Sequence, residues 1–401
     1  MDRPDRRPPP PPAQDPAAPA RPAPRGRGSA ANVAGRFDAW QRDRPDEVVE
    51  ADRVAREQAP DEAPLLPDPR TRLLIDTART VISRNESPDL PFDRSINPYR
   101  GCEHGCIYCY ARPSHNYLGL SPGLDFETQI FHKPDAPELL AAELARPGYV
   151  CAPIALGVNT DAYQPVERQT RLTRRILEVL LACRHPVPLI TKSALIERDI
   201  DLLAALAAEN LVTAAVSLTG LSAELARHLE PRAASPQRRL ATIRALAEAG
   251  VPVGVSFAPL IPGLNDHELE KGLEAARQAG AAWAHYGVLR LPHEVAPLFE
   301  DWLARHAPGK AARVMAVLYD MRGGRRNDPR FGHRLRGLGH YAELMEQRFR
   351  LARRRLGFTS PPPLDCSRFI PPPQPPQAAV PPRSAAKRRR ADGEDSQLSL
   401  F

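Results

Sequence analysis

From residue 92 onward, short β-branched or apolar runs alternate with longer stretches of helical period, and this alternation limits the fold more than any other feature of the 401-residue chain. Strand-length runs separated by amphipathic helices mark repeated βα units, which bury both faces of a parallel sheet. Strands are predicted at Ile96–Tyr99, Pro153–Val158, Val187–Thr191, Val212–Leu218, Val251–Phe257 and Trp283–Leu289. Helices are predicted over 135–146, 170–184, 200–210, 235–250 and 265–280. Ser235 followed by Pro236 supplies a cap and a first-turn proline, and Gly250 supplies a stop. Asn265 and Gly280 read as the same punctuation around the next helix. Six units predict an α/β fold, a parallel (β/α)6 barrel, complete or partial, over a flat doubly wound sheet, although periodicity alone does not separate the two. AARVMAVLYDM and YAELMEQRFRLARRRLGF, beyond residue 308, add C-terminal helices.

The ends have a different composition. Residues 1–68 open with RPPPPPAQDPAAPARPAPRGRG and stay polar and charged, with too little apolar surface to offset the entropy of ordering, so they are expected to be mostly disordered. Residues 361–401, with PPPQPPQ and KRRR, read as a disordered proline-rich tail carrying a basic run. A catalytic domain over 69–360 remains. No run of 18 apolar residues exists and the N-terminus lacks the apolar stretch of a secretory signal, so a cytoplasmic protein with no membrane partner is expected. The formal net charge of +7 permits a polyanionic partner.

In either architecture ligands bind at the carboxyl ends of the strands. The loop after the first predicted strand reads CEHGCIYCY, with Cys102, Cys106 and Cys109 in a C-x3-C-x2-C spacing. In a reducing compartment these three are ligands sooner than disulfide partners. Structural zinc wants four donors, and no second cysteine pair exists, although His104 or His115 would complete a Cys3His set. A four-iron cluster takes thiolates and, with three of them, keeps one iron open.

The spacing, with an aromatic just before the third cysteine at the end of strand one, resembles the radical S-adenosylmethionine (SAM) superfamily. NTDAYQPVERQ, LITKSALIERD, AVSLTG and APLIPGLND, together with Gly26-Arg27-Gly28 through Asn32 to Arg36-Phe37, resemble a bacterial branch similar to spore photoproduct lyase. This resemblance implies a partial (β/α)6 barrel holding a [4Fe-4S] cluster on the three cysteines. It also implies S-adenosyl-L-methionine on the open iron, reductive cleavage to a 5′-deoxyadenosyl radical, and a reductant such as flavodoxin or ferredoxin. The expected reaction is lyase-like, on damaged or modified DNA. Radical modification of RNA or protein, or a non-catalytic adaptor with a structural metal, are the alternatives.

The resemblance also assigns residues. Tyr108 is expected against the adenine, and Asn159, Thr160 and Asp161 near the methionine amino group and ribose. Lys192 and Ser193 follow strand three, where a point charge suits a carboxylate, and Ser217 is expected near the ribose. The loop Ala258 to Asp266 would offer backbone groups to the adenine. His285 and Tyr286 lie on the last strand, and the histidine reads as a satisfied core residue. Spore photoproduct lyase leads one to look for a hydrogen-donating cysteine at the end of strand two, but Val158 precedes Asn159 and the only nearby cysteine, Cys151, stands at the strand's start. Finally, QLSLF resembles the peptide that docks on the replicative sliding clamp, with Gln397, Leu398, Leu400 and Phe401 as anchors.

Overall fold

The computed structural model describes residues 24, 26–37 and 70–373. The anchors Gln397 to Phe401 and the KRRR run lie outside the described residues.

Six parallel strands follow one another in chain order: β1 (Arg94–Ile96), β2 (Ile154–Leu156), β3 (Val187–Thr191), β4 (Val212–Ser217), β5 (Val253–Leu260) and β6 (Trp283–Val288). Each pairs with its neighbours in chain order, Ile82–Arg84 adds an antiparallel edge beside β1, and Trp283 of β6 makes one isolated parallel bridge to Thr359. The sheet is therefore the open (β/α)6 arrangement, with β6 at its other edge. Its inner strands are largely buried, as β4 shows with only Ala215 less than fully buried, because helices cover the outer face and loops and side chains fill the inner one.

The helices bury one stripe each. In Leu172–Ala182 the buried residues are Leu172, Thr173, Ile176, Leu177 and Leu180, three and four apart. Each such Ile or Leu contributes about 1.5–3 kcal/mol on leaving water. The expected helix over 170–184 is interrupted, since Arg171 adopts φ 52° between Glu167–Thr170 and Leu172–Ala182. Ser235 caps Pro236–Glu248 by accepting the Arg238 N–H. Asn265 does not cap its helix. Its amide accepts the Ile261 N–H and donates to the Thr219 and Pro259 carbonyls, so it ties two loops together. Among the helices beyond those expected are Ala223–Leu229 and Val295–His306, each with its apolar residues turned to the core.

Other differences have simple causes. The first strand ends at Ile96 because Asn97-Pro98 breaks it, and Tyr99–Arg100 joins a separate sheet with Arg72–Ile75 and Gln129–His132. His285 is exposed, not a core residue, because β6 is an edge strand, whereas Tyr286 packs on Phe349. Residues through Pro373 are described, and Phe369 lies against Tyr149 and His185 while its neighbour Ile370 donates to the Cys183 carbonyl. Likewise residues 26–37 lie on the domain as a strap, with Arg27 and Ser29 buried. Among the described residues no helix is long and apolar enough to cross a membrane.

Candidate active site at the carboxyl ends of the strands

The cysteine loop follows β1 and is held from three sides. Gln164, after β2, accepts the Glu103 N–H and donates to the Gly101 carbonyl. Arg112, just beyond the loop, is completely buried and donates to the Cys106, Gly105, Pro122 and Gly123 carbonyls. From a third direction Asp161 approaches, with Oδ2 3.3 Å from His104 Nδ1. The phenol of Tyr110 reaches the Val158 carbonyl, two residues past β2. Every turn of the loop thus has a partner outside it.

The strap closes over the same loop. Gly28 and Ser29 each donate a backbone N–H, both 3.0 Å, to the two oxygens of buried Glu127, whose Oε1 also accepts Arg112. Gly28 is required by proximity: a Cβ there would lie 1.9 Å from the Gly105 oxygen. Val33 packs against the buried cluster that includes Cys106, Ile107 and Tyr108, and the Arg36 N–H donates to Glu294 after β6. The strap therefore spans from the loop after β1 to the loop after β6, across the open side of the barrel.

None of the three thiols is in a disulfide, and Cys102 and Cys106 are buried while Cys109 is half-buried. Burial pushes the Cys106 thiol up to about 12, with Glu230 adding to the effect and Lys192 opposing it. Burial, Asp161 and the other two sulfurs push Cys102 well above the ordinary thiol range. As thiolates they need a bound cationic centre. Among the described residues no three His, Cys, Asp or Glu side chains converge tightly enough to hold one metal ion. His115, one of the two histidines that would complete a Cys3His set, is engaged elsewhere, packed on Phe126 with Nε2 3.0 Å from the Gln129 carbonyl. A polynuclear cluster does not ask its thiolates to meet at one point, since each binds a different iron. Three neighbouring unpaired thiols on one braced loop fit it.

The structure brings most of the other expected residues to this end of the sheet and separates them by what their groups already do. Thr160 donates to the Tyr99 carbonyl at 2.9 Å. Asp161 accepts the Thr191 hydroxyl and the Tyr163 and Lys192 N–H groups. Burial would raise its carboxyl, but His104 and these bonds bring it down to about 2. Ser193 accepts the Leu195 N–H and caps the following turn. These three brace the loops. Lys192 differs: its ammonium has no hydrogen bond or ion pair among the described residues, and it stands in the field of Cys106, Glu230 and Asp161, which outweigh burial and hold its pKa up. Asn159 engages Asn97 through its backbone N–H, 3.0 Å from the Asn97 side-chain oxygen. Ser217 is buried at the end of β4.

Tyr108 is buried in the cluster with Ile107, Leu229 and Ile261, and its hydroxyl donates to Glu230. Glu230 is a site residue that the sequence does not reveal. It also accepts the Thr219 hydroxyl at 2.6 Å and pairs with buried Arg239. Burial opposes its charge, and Arg239 and Lys192 hold its pKa below the usual value. A lone glutamate ending the helix Ala223–Leu229 carries no sequence signal, because its partner Arg239 looks like a surface residue of the next helix. Cys151 stands before β2, at the opposite end of the sheet, beside Cys366.

Comparison with known proteins agrees with this geometry. An uncharacterized protein of Mycobacterium tuberculosis is 40% identical over 226 residues, 56% of this chain and 66% of the relative. A Mycobacterium bovis protein matches equally, and one from Methanocaldococcus jannaschii is 28% identical over 173 residues, 43% of this chain and 62% of that one. The chain thus spans just under two thirds of the length of these relatives. Among solved structures, spore photoproduct lyase complexed with dinucleoside spore photoproduct shares the fold at TM-score 0.50 and 16% identity, covering 71% of this chain and 80% of that one. A tyrosine-to-phenylalanine mutant of spore photoproduct lyase gives TM-score 0.50, 16% identity and coverage of 72% and 82%. The Radical SAM superfamily model matches residues 96–276, from the end of β1 through the helix after β5. Residues 96–276 of this chain thus match the radical SAM superfamily, whose cofactors are a [4Fe-4S] cluster and S-adenosyl-L-methionine.

Proposed function

We propose that the chain is a radical SAM enzyme that acts on nucleic acid, with damaged or modified DNA as its substrate and a lyase-like outcome, and that Cys102, Cys106 and Cys109 hold the cluster. The observation that carries the reading is the group of three unpaired thiols on a braced loop after β1, beside an unpaired lysine, within the matched domain. When bound, the cluster supplies the electron that cleaves S-adenosylmethionine to methionine and a 5′-deoxyadenosyl radical; flavodoxin or ferredoxin is the expected class of reductant. Lys192, unpaired and in the mouth, attracts the cofactor's carboxylate. Asn159 and Ser217 offer polar groups to its amino group and ribose, and the Tyr108 ring offers a face to the adenine while its hydroxyl stays on Glu230. Thr160, Asp161 and Ser193 keep those residues in place. DNA is favoured by the fold shared with a lyase solved in complex with a dinucleoside lesion, and by the net charge of +7. Two residues past β2 stands Val158, not a cysteine, so the hydrogen transfer that completes the reaction differs from one using a thiol there.

The test is anaerobic reconstitution followed by incubation with reductant, S-adenosylmethionine and a panel of lesion-bearing DNA. Iron and sulfide that depend on all three cysteines, with 5′-deoxyadenosine formed, are the expected results. Stoichiometric zinc on the three cysteines, with no such product, would overturn the reading. Turnover of RNA or peptide in place of DNA would replace the substrate class and leave the chemistry standing.

A further inference from the structure

Three exposed aromatic side chains or pairs, each with an arginine laid against it, form an arc around the mouth of the barrel. On the strap side, Phe37 and Tyr117 are 55% and 71% exposed, their ring centroids are 5.1 Å apart, and the Arg36 guanidinium lies 4.9 Å from one ring and 5.6 Å from the other. In the middle, Arg290, just beyond β6, lies 4.9 Å over the ring of Tyr110, which is 46% exposed. On the far side, Arg334 lies 4.9 Å over Phe331, which is 54% exposed. The three groups are contiguous. The Arg36 backbone bonds Glu294, four residues after Arg290, and the Arg290 charge is within reach of Tyr110, Arg334 and Asp89.

This pattern is not what an ordinary surface or a core needs. Large exposed rings normally scatter singly, whereas these gather at one end of the sheet. The Arg36 guanidinium has no carboxylate partner among the described residues. The loop beyond Arg334 is anchored to the barrel, since the Val288 N–H donates to the Leu335 carbonyl and buried Arg322 donates to Leu289, so its ring is held beside the mouth. Aromatic faces alternating with planar cations match one chemistry well. Unstacked bases lie on the rings and phosphates meet the guanidinium groups of Arg36 and Arg290, while Arg334, already paired with the Asp89 carboxylate, holds its place beside Phe331. A duplex keeps its base faces covered, so it offers the rings nothing.

We infer that the arc formed by Arg36, Phe37 and Tyr117, by Tyr110 and Arg290, and by Phe331 and Arg334 is a docking surface for a nucleic acid strand with unpaired bases, which it leads across the barrel mouth. The inference rests on the nucleic-acid reading above and deepens it, by specifying an unpaired strand as the form presented to the site.

The test uses the full, cluster-loaded chain and fluorescence anisotropy with a labelled single-stranded DNA oligonucleotide and the blunt duplex of the same sequence, at matched salt. The single strand is expected to bind more tightly. Phe37→Ala with Tyr117→Ala, and separately Phe331→Ala, should each weaken single-strand binding roughly tenfold to a hundredfold, in line with the loss of one stacked base. Duplex binding and substrate-free 5′-deoxyadenosine formation should stay unchanged. Equal single-strand affinity in folded variants, or tighter binding of the duplex by the unaltered chain, overturns the inference. The two readings fail separately. Absence of 5′-deoxyadenosine with ring-dependent binding removes the enzyme and keeps the surface; normal 5′-deoxyadenosine with ring-independent binding removes only the surface.

Discussion

Arg112 Nη2 lies 2.6 Å from Glu127 Oε1, and neither side chain has any exposed surface. The carboxylate also accepts two backbone N–H groups of the strap, and the guanidinium also holds two carbonyls of the cysteine loop. One ion pair therefore joins the N-terminal segment to the cysteine loop. Removing one partner of a buried pair strands the other, at a cost of about 3–5 kcal/mol. Glu127→Ala should lower the melting temperature and reduce iron retained per chain after reconstitution. Unchanged values of both would show that the pair does not brace the loop.

Gly28→Ala tests the strap without touching a charge. Its added methyl would meet the Gly105 oxygen, so the strap must lift or the loop must yield. Gly26→Ala is the control: its φ of 73° strains any side chain, but nothing lies within 4 Å. Limited proteolysis should cut the strap of the Gly28 variant much faster than that of the Gly26 variant. Equal rates would mean that the close approach is not what holds the strap.

These contacts explain which parts of the molecule are legible in the sequence. Strands and helices repeat locally, so β3 matches its expected bounds to the residue and β4 and β6 match theirs to within one. The cysteines announce themselves by spacing. Glu127, Arg112, Glu230 and Arg239 do not, because a buried ion pair looks like two surface charges until the fold brings its halves together. Asn265 misleads for a related reason: asparagine is a good cap, but here its amide satisfies three buried backbone groups of two loops. Asn265→Ala should therefore cost more in chemical denaturation than Ser235→Ala, which loses a single capping bond of about 1 kcal/mol. A smaller loss at Asn265 would return it to a local role.

Acid should weaken the attachment of residues 361–373 through His185. That ring is fully buried, 2.8 Å from the Tyr149 hydroxyl and edge-on to Phe369, and burial takes its pKa from 6.5 down to about 4. A histidine kept neutral in the folded state stabilises fully above its unfolded pKa. The contribution is lost as pH falls from 6.5 toward 4, because only the unfolded chain takes up the proton readily. The shift corresponds to a change on the order of 3 kcal/mol. Urea unfolding at pH 7 and pH 5 should show a larger drop for the unaltered chain than for His185→Gln, and an equal drop would refute the assignment.

Tyr108 and Glu230 separate packing from cofactor contact. Tyr108→Phe keeps the ring and loses one hydrogen bond, and Glu230 retains Arg239 and Thr219. The expected stability loss is about 1 kcal/mol, with little change in the KM for S-adenosylmethionine if the ring face is what the adenine meets. Tyr108→Leu fills the core but removes the aromatic face, and it should raise that KM severalfold at similar stability. Glu230→Gln should instead cost about 3–5 kcal/mol, because it leaves the Arg239 charge buried without a counter-charge. If Tyr108→Leu leaves the KM unchanged, the ring only packs the loop and the adenine rests elsewhere. If Tyr108→Phe alone raises it, the hydroxyl is needed to fix the ring, and Glu230 acts on the cofactor through Tyr108.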